Sequence, residues 1–500
     1  MADLPSVSKI NNEIEKMALS FGTSGVRGLV TEFTDQQVYL LVSAFLKYAD
    51  TLKVSRSVST GRDLRESSPK MLRAVHQAIA DHAKTILSCG AVPTPCLAFY
   101  SQENQSLAVM VTGSHIPADR NGVKFYLETG ETLKHDDQAI FNQYLKLKEQ
   151  NYKSELFDAD GGFKTKNSPA LSDVTADCQK LFTTRYTQFF KDVNLSSYKV
   201  LFYEHSSVAR DLAPAILEQL GAKIIRLGRS DMFIPVDTEA VDSLVQFQKW
   251  MEEYKADVLV STDGDGDRPL VVDHQGQIIQ GDKLGMITSR YLAVQAVALP
   301  ISCNSGISEM KELKEAVFTK IGSPFVVAAL DELAKKYDQV AGFEANGGYI
   351  LKSNISKKDQ VLKSLPTRDS VLPIVALLAL AAKEKITLAE LIHQLPQRYT
   401  ASVLVKNCPV EVSAKILEKV KTYSKAVIQD ILGGSVSVDN TNTLDGVRIT
   451  TREGEIIHFR PSGNAPEFRC YVEAQTQKKA DQIAGHAKAF LSRLIETRQF

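Results

Sequence analysis

The chain carries six cysteines in 500 residues, at Cys89, Cys96, Cys178, Cys303, Cys408 and Cys470, and no two of them form a CxxC pair. That scatter argues against a structural zinc site and against the disulfide framework of a small secreted domain; reduced cytoplasmic thiols are the simplest reading. The N-terminus, Met1-Ala2-Asp3-Leu4-Pro5, lacks a basic stretch followed by an apolar one, so no secretory leader is expected there. Long hydrophobic runs are missing too. Val371 to Ala382 is about a dozen residues against the ~20 a membrane span needs, and it contains Pro373, so it predicts a buried helix. Net charge is absent: Lys+Arg and Asp+Glu both number 59, which excludes a global positive field for nucleic acid or anionic lipid but leaves room for a local basic pocket. What remains is ordinary globular usage, 44% hydrophobic and 24% charged, over a length that suggests about three or four domains.

Periodicity gives the organisation. Gln36 to Tyr48 carries apolar residues at helical spacing, and Val54 to Thr60 alternates like a strand. Ser67 to Ala83 predicts a helix, with Ser67 or Ser68 as cap and Pro69 near the first turn. Leu107 to Thr112 suits a buried strand. Alternation of this kind implies α/β layers. The polar, glycine-containing stretch Asn151 to Ser168 predicts a boundary. A second α/β unit follows, with a strand over Tyr198 to Tyr203, a helix over Val208 to Leu220 and a strand over Lys223 to Leu227. Asp257 to Ser261 and Pro269 to Asp273 flank an acidic loop like a hairpin. A third unit holds a helix over Phe325 to Tyr337, a turn near Gly342 and the apolar helix after Arg368. Beyond it, an amphipathic helix over Glu411 to Leu432, several short strands and a closing helix over Lys478 to Ile495 predict an α+β domain. The phrase helix–Gly–Ala–strand recurs at Gly90-Ala91 and Gly221-Ala222, a common turn more than a repeat.

Four polar, Gly-rich segments carry reactive groups that a plain connector does not need. The first is Thr112-Gly113-Ser114-His115-Ile116-Pro117, with Asn121-Gly122-Val123-Lys124 behind it. Ser114 stands at a strand end, where α/β proteins place ligands. Gly113 and Gly122 are expected to permit close backbone approach and positive φ. A serine hydroxyl is a poor nucleophile until a neighbour takes its proton, and His115 and Lys124 are the candidate neighbours. The plain alternative is an N-cap serine beside a surface lysine. The second segment is Asp263-Gly264-Asp265-Gly266-Asp267-Arg268, whose alternate carboxylates can converge on one hard cation, Mg²⁺ or Ca²⁺ rather than zinc. An EF-hand is excluded, because its sixth and twelfth places hold Arg268 and His274. A solvated acidic turn is the alternative, but three carboxylates so close repel one another.

The third segment, Gly342-Phe343-Glu344-Ala345-Asn346-Gly347-Gly348, offers a carboxylate and an amide able to bind vicinal hydroxyls, or is a simple tight turn. The fourth, Arg460-Pro461-Ser462-Gly463-Asn464-Ala465-Pro466, joins an Arg fork, a hydroxyl and backbone N–H groups as a phosphate cradle, or is a hairpin turn with an exposed Arg. Together the four describe phosphoryl transfer to or from a polyol.

In this order the segments resemble the α-D-phosphohexomutase superfamily, in its phosphomannomutase/phosphoglucomutase branch. The resemblance runs from Phe21-Gly22-Thr23-Ser24-Gly25-Val26-Arg27-Gly28 to Arg469-Cys470-Tyr471-Val472-Glu473-Ala474, and takes in Gly61-Arg62-Asp63-Leu64-Arg65-Glu66-Ser67-Ser68-Pro69 and Pro235-Val236-Asp237-Thr238-Glu239-Ala240. It implies an α/β chain of three related α/β domains plus a C-terminal α+β domain around a central active-site cleft. The implied divisions are 1–158, 159–282, 283–395 and 396–500. By the same resemblance Ser114 is the phosphorylated serine, and Asp263, Asp265 and Asp267 join a phosphoserine oxygen of Ser114 as Mg²⁺ ligands. Lys124, Arg27 and His115 belong near the transfer point, with Lys124 as proton shuttle, and Arg268 lies beside the phosphoserine. Glu344 and Asn346 read the sugar, and Arg460, Ser462, Gly463 and Asn464 hold the substrate phosphate.

The implied activity is interconversion of hexose 6-phosphate and hexose 1-phosphate (mannose or glucose), through a hexose 1,6-bisphosphate, in a cytoplasmic monomer or dimer with no nucleic-acid or membrane partner. Two departures stand out. The usual phosphoserine loop reads Thr-Ala-Ser-His-Asn-Pro, and here Gly113 and Ile116 replace Ala and Asn. The usual sugar loop reads Gly-Glu-x-Ser-Gly-His, and here Asn346 and Gly348 replace Ser and His, which moves acid/base work toward Lys124. Glu-Ala-Asn-Gly is also similar to the N-acetylglucosamine-phosphate mutases, so an amino-sugar phosphate is the alternative substrate. A non-catalytic sugar-phosphate-binding protein on the same scaffold is the alternative class.

Overall fold

The computed structural model describes residues 20–21, 25–52, 55–165, 168–434, 436–461 and 467–498. Three sheets repeat one pattern. In the first, strand Ser57–Arg62 lies between parallel neighbours Thr85–Ala91 and Leu107–Val111, and Leu107–Val111 turns back antiparallel into Arg120–Leu127. In the second, Lys199–Tyr203 lies between parallel Lys223–Leu227 and Val258–Thr262, and Val258–Thr262 turns back into Pro269–Asp273. In the third, Ala296–Pro300 lies between parallel Glu315–Thr319 and Val340–Phe343, and Val340–Phe343 turns back into Tyr349–Leu351. The hairpin turn of each repeat carries one of the first three Gly-rich loops. The first sheet extends to Val26–Leu29 on one side and to Ser172–Asp173 on the other. The fourth sheet is wholly antiparallel, in the order Tyr399–Lys406, Glu467–Ala474, Ile456–Pro461, Val447–Thr451, Val438–Asn442.

The repeat is one of topology, not of the Gly-Ala phrase. Gly90-Ala91 closes its strand, whereas Gly221-Ala222 precedes its own, so the two dipeptides are not equivalent. Strands Leu107–Val111 and Val258–Thr262 are buried at every position, which explains their unbroken apolar runs. The run after Arg368 forms helix Val371–Glu384, buried from Val371 to Ala381. Pro373 is tolerated because it lies in the first turn, where its missing N–H has no intrahelical partner to lose. Each buried Leu or Ile there contributes about 1.5–3 kcal/mol.

Two expectations are corrected. Helix Ser68–Asp81 has no side-chain cap from Ser67; instead the Ser68 hydroxyl donates to Asp63 Oδ1 at 2.5 Å, and Ser67 Oγ accepts from Asn121. The long helix over Glu411 to Leu432 is two, Val410–Thr422 and Ser424–Leu432, broken at Tyr423 with φ −116° and ψ 35°. Buried Val420 and Val427 keep a seven-residue spacing across the break, so the apolar period carries no trace of it.

The first three units share one apolar core, running from Cys96 and Phe99 through Phe202 and Leu217 to Ile374 and Leu377. The fourth has its own, around Ile416, Phe459, Phe468 and Leu491. A cleft of about 350 Å³ opens between the two bodies, lined by Glu239, Gly281, Ala345, Thr400, Arg448 and Tyr471 among others. Among the described residues no helix is long and apolar enough to cross a membrane.

Candidate active site

Ser114 stands three residues past the end of buried strand Leu107–Val111 and is itself buried, with φ 56°. Positive φ was expected of Gly113 and Gly122; neither adopts it, and the strained bend falls on the serine. The loop is held from below. Thr112 Oγ1 donates to Asp63 Oδ2 at 2.7 Å and accepts from the Ser114 N–H at 2.8 Å. Arg65, buried, donates to the carbonyls of Ser114, Ile116, Pro117 and Arg120 at 2.6–3.0 Å. A Cβ at Gly113 would stand 2.6 Å from the Arg65 Cζ, so glycine is required there for close approach.

The acidic hairpin meets this loop across 149 residues of sequence. Ser114 Oγ donates to Asp263 Oδ2 at 2.6 Å, and the His115 Nδ1 is 3.3 Å from the same oxygen of serine. Lys124 Nζ donates to Asp265 Oδ2 at 2.6 Å and to Asp267 Oδ2 at 2.9 Å. Thr94 Oγ1 donates to Asp265 Oδ2 at 2.6 Å. Arg268 lies 3.8 Å from both Asp263 and Asp267. Asp263, Asp265 and Asp267 are fully buried, and one oxygen from each lies within 4.8 Å of the others. Asp265 Oδ1 and Asp267 Oδ1 have no hydrogen-bond partner among the described residues. Buried, unpartnered carboxylate oxygens are costly, and this oxygen-only donor set suits a hard divalent cation. With Ser114 in contact, these are the residues that fit a metal.

The electrostatics divide the cluster. Burial, then Asp265 and Asp267, push the Asp263 carboxyl well above the usual range. Burial also acts on Asp267, but Arg368, Lys124 and Arg268 outweigh it and hold that carboxyl low. Burial pulls the Lys124 ammonium down, yet Asp265 and Asp267 prevail and the net shift is upward. The two carboxylates thus outweigh burial. Burial, Arg268 and Arg27 keep the His115 imidazole far below its ordinary value and hence neutral. Burial with Arg268 and Arg368 draws half-buried Arg27 down to about 10.

Glu344 and Asn346 are both buried at the mouth of the third hairpin. Asn346 Oδ1 accepts from the Gly348 N–H at 3.0 Å, and its carbonyl accepts from Thr238 of the second unit at 3.1 Å. Arg460 donates from Nε to Asp445 Oδ1 at 2.9 Å, while Asp445 Oδ2 accepts from the Ile321 N–H of the third unit at 2.9 Å. Ser462, Gly463 and Asn464 lie outside the described residues.

Similarity to known proteins follows the whole length. Residues 18–151, 180–276 and 280–399 match the phosphoglucomutase/phosphomannomutase alpha/beta/alpha domains I, II and III, and 406–488 match the C-terminal domain of that family. The chain belongs to the phosphoglucomutase/phosphomannomutase family. A phosphomannomutase of Salmonella muenchen is 40% identical over 474 residues, covering 94% of this chain and 95% of that protein. A phosphomannomutase of Sinorhizobium fredii is 40% identical over 484 residues, covering 95% and 99%. In fold, a phosphoglucomutase/phosphomannomutase family protein of Burkholderia thailandensis superposes with a TM-score of 0.72 at 20% identity, over 94% of this chain and 97% of that one. This family member is thus a hexose phosphate mutase, as the sequence resemblance implies.

Sequence reasoning missed three contributors. Arg65 lies inside a recognised motif but received no role. Thr94 is far from any Gly-rich loop. Arg368 reaches Asp267 and Glu344 from a segment without glycine or motif. The one signal for Arg368 was negative: the absent side chain at Gly348.

Proposed function

We propose that this enzyme interconverts hexose 6-phosphate and hexose 1-phosphate, with mannose and glucose as its sugars, through a phosphoserine at Ser114 and a hexose 1,6-bisphosphate. One observation carries the reading: Ser114 Oγ, on its strained bend, donates at 2.6 Å into the buried three-aspartate cluster. Ser114, Asp263, Asp265 and Asp267 would hold Mg²⁺. When bound, Mg²⁺ supplies Lewis acidity and orientation to the transferred oxygens.

The chain's own residues do the rest. A sugar hydroxyl attacks the seryl phosphate; the seryl O–P bond breaks as the sugar O–P bond forms. Lys124, held as an ammonium by Asp265 and Asp267, gives a proton to the leaving seryl oxygen and takes one back from the attacking hydroxyl. The bisphosphate turns end for end, and the reverse transfer returns the other phosphate to Ser114. Arg27 and Arg268 place charge where the transferring group gathers it, since phosphoryl transfer rests on positioning and charge stabilisation. Neutral His115 orients the seryl oxygen. Glu344 and Asn346 read hydroxyls, and Arg460 with Ser462, Gly463 and Asn464 takes the phosphate that does not react. The separate core of the fourth unit supports closure over the ligand as a rigid body, which excludes water from the phosphoserine. We place the enzyme in the cytoplasm, as a monomer or dimer.

The test is kcat/KM on mannose, glucose and N-acetylglucosamine phosphates, with catalytic hexose bisphosphate as primer. A preference for mannose or glucose supports the proposal. A preference for the amino sugar transfers it to the N-acetylglucosamine or glucosamine mutase reading. Binding without turnover marks a sugar-phosphate-binding protein, and free phosphate as main product marks a serine phosphatase.

A further inference from the structure

The family's sugar loop, as resembled, ends in a histidine, and this chain has Gly348 there. The structure shows what fills the space. A Cβ at Gly348 would stand 2.7 Å from both Cγ and Cδ of Arg368 and 2.9 Å from its Cβ. The Cβ is fixed to the backbone of strand Leu365–Asp369, and Cγ and Cδ can clear the space only by leaving this rotamer. A side chain at position 348 and Arg368 in this rotamer are mutually exclusive.

The guanidinium is 3% exposed and its N–H groups are spread over two loops and a helix start. Nε and Nη2 donate to Asp267 Oδ2 at 3.1 and 2.9 Å. Nη1 donates to Glu344 Oε2 at 3.0 Å and to Ser323 Oγ at 3.1 Å. The other contact to that Glu344 oxygen, from Asn346 Nδ2, is long at 3.5 Å. Arg368 is therefore the main anchor of the sugar-reading carboxylate. It also links that carboxylate to the acidic hairpin, since one planar guanidinium donates to both. A histidine could exchange a proton; a guanidinium stays charged and only donates.

Building on the mutase reading, we propose that Arg368 is a specificity-determining positioning residue: it sets Glu344 to read sugar hydroxyls and ties it to Asp267, in the space a sugar-loop side chain would otherwise take. Its partner is a hexose phosphate whose ring hydroxyl faces Glu344. Sugar reading and the transfer site are thereby joined through one side chain, and proton exchange is left to residues elsewhere.

The test is calorimetric binding of mannose 6-phosphate, glucose 6-phosphate and their single-deoxy analogues to the full-length dephosphorylated enzyme. Arg368→Met is expected to bind the parent sugars about 10- to 100-fold more weakly, the scale of a lost charge-assisted hydrogen bond. It is also expected to lose discrimination against the one deoxy analogue that lacks the hydroxyl Glu344 reads, which a purely structural role would leave intact. Arg368→Lys keeps the charge without the fork and is expected to lose that discrimination as well; it serves if the methionine variant fails to fold. Gly348→Ala should reproduce the loss by displacing the arginine side chain. Full affinity and full deoxy discrimination in Arg368→Met or Arg368→Lys would overturn the proposal. Wild-type protein that binds and discriminates but does not turn over leaves Arg368 in its role and defeats the mutase reading. Wild-type protein that binds no hexose phosphate defeats both.

Discussion

The Arg65 guanidinium donates from Nη2 to the carbonyl of Ser114 at 3.0 Å, and its Cζ would lie 2.6 Å from a Cβ on the preceding residue, Gly113. The bend that presents the serine is thus built on an arginine lying against bare backbone. Gly113→Ala would install the residue usual in the family's loop, and here it should do harm. Arg65 is pinned by four carbonyls and Asp63 and has nowhere to retreat. Overpacking of this kind costs about 1–3 kcal/mol. Thermal unfolding should show the loss, and kcat should fall with it. A variant as stable and as active as the parent would mean the loop is not held this way.

Much of this was legible in the sequence because it is local. The acidic hairpin lies between two strand runs, and alternate carboxylates mark a set able to hold a cation, which the structure brings together. The Val258–Thr262 and Pro269–Asp273 pairing follows the predicted hairpin closely. What was hidden depends on distant chain or on backbone detail. Arg368 meets Asp267 over 101 residues of separation, and no local pattern marks an arginine as an anchor. The positive φ of Ser114 went to the residue with a side chain rather than to the adjoining glycine, because the Arg65 and Asp63 contacts over-determine the turn. The break at Tyr423 is silent because the apolar spacing across it still fits a helix.

Ser114→Ala removes the hydroxyl that the proposed mechanism phosphorylates. Turnover should drop by about a thousandfold or more, as it does when a nucleophile is deleted from a unit that acts together. Circular dichroism should be unchanged, since the side chain contributes contacts to Asp263 and His115 but none to the apolar core. Intact-mass measurement should show a phosphate adduct on the parent and none on the variant. Near-parental rates would remove Ser114 from the mechanism.

Asp265→Asn keeps the shape of the side chain and the hydrogen bonds from Lys124 and Thr94, but lowers the charge of the cluster by one. Mg²⁺ titration should show half-maximal activation shifted upward by about tenfold or more, at least the scale seen when groups supporting a metal site are lost. Chelation followed by re-addition of Mg²⁺ should restore the parent more completely than the variant. An unchanged activation curve would place the cation elsewhere.

The buried imidazoles withdraw stability in mild acid, and His76 shows how. It lies buried on helix Ser68–Asp81, with Nε2 2.9 Å from Thr60 Oγ1, and burial pulls its imidazole down to about 4. The unfolded chain titrates near the ordinary value of about 6.5. Below that pH the unfolded state binds a proton that the folded state refuses. The contribution is therefore complete above about pH 6.5 and is lost progressively as pH falls toward 4, by about 3 kcal/mol over the interval. Burial draws His205 and His458 down to about 4 as well, so their contributions carry the same sign. Urea unfolding between pH 7 and 4.5 reads the His76 contribution as the difference between the parent and His76→Gln. In His76→Gln the whole curve should sit lower, since a buried partner of Thr60 is altered, but its slope between pH 6.5 and 4.5 should flatten by up to one proton. A variant slope equal to the parent's would show that His76 takes up its proton in both states alike, and the acid sensitivity would then rest on other buried imidazoles, His115, His205 and His458 among them.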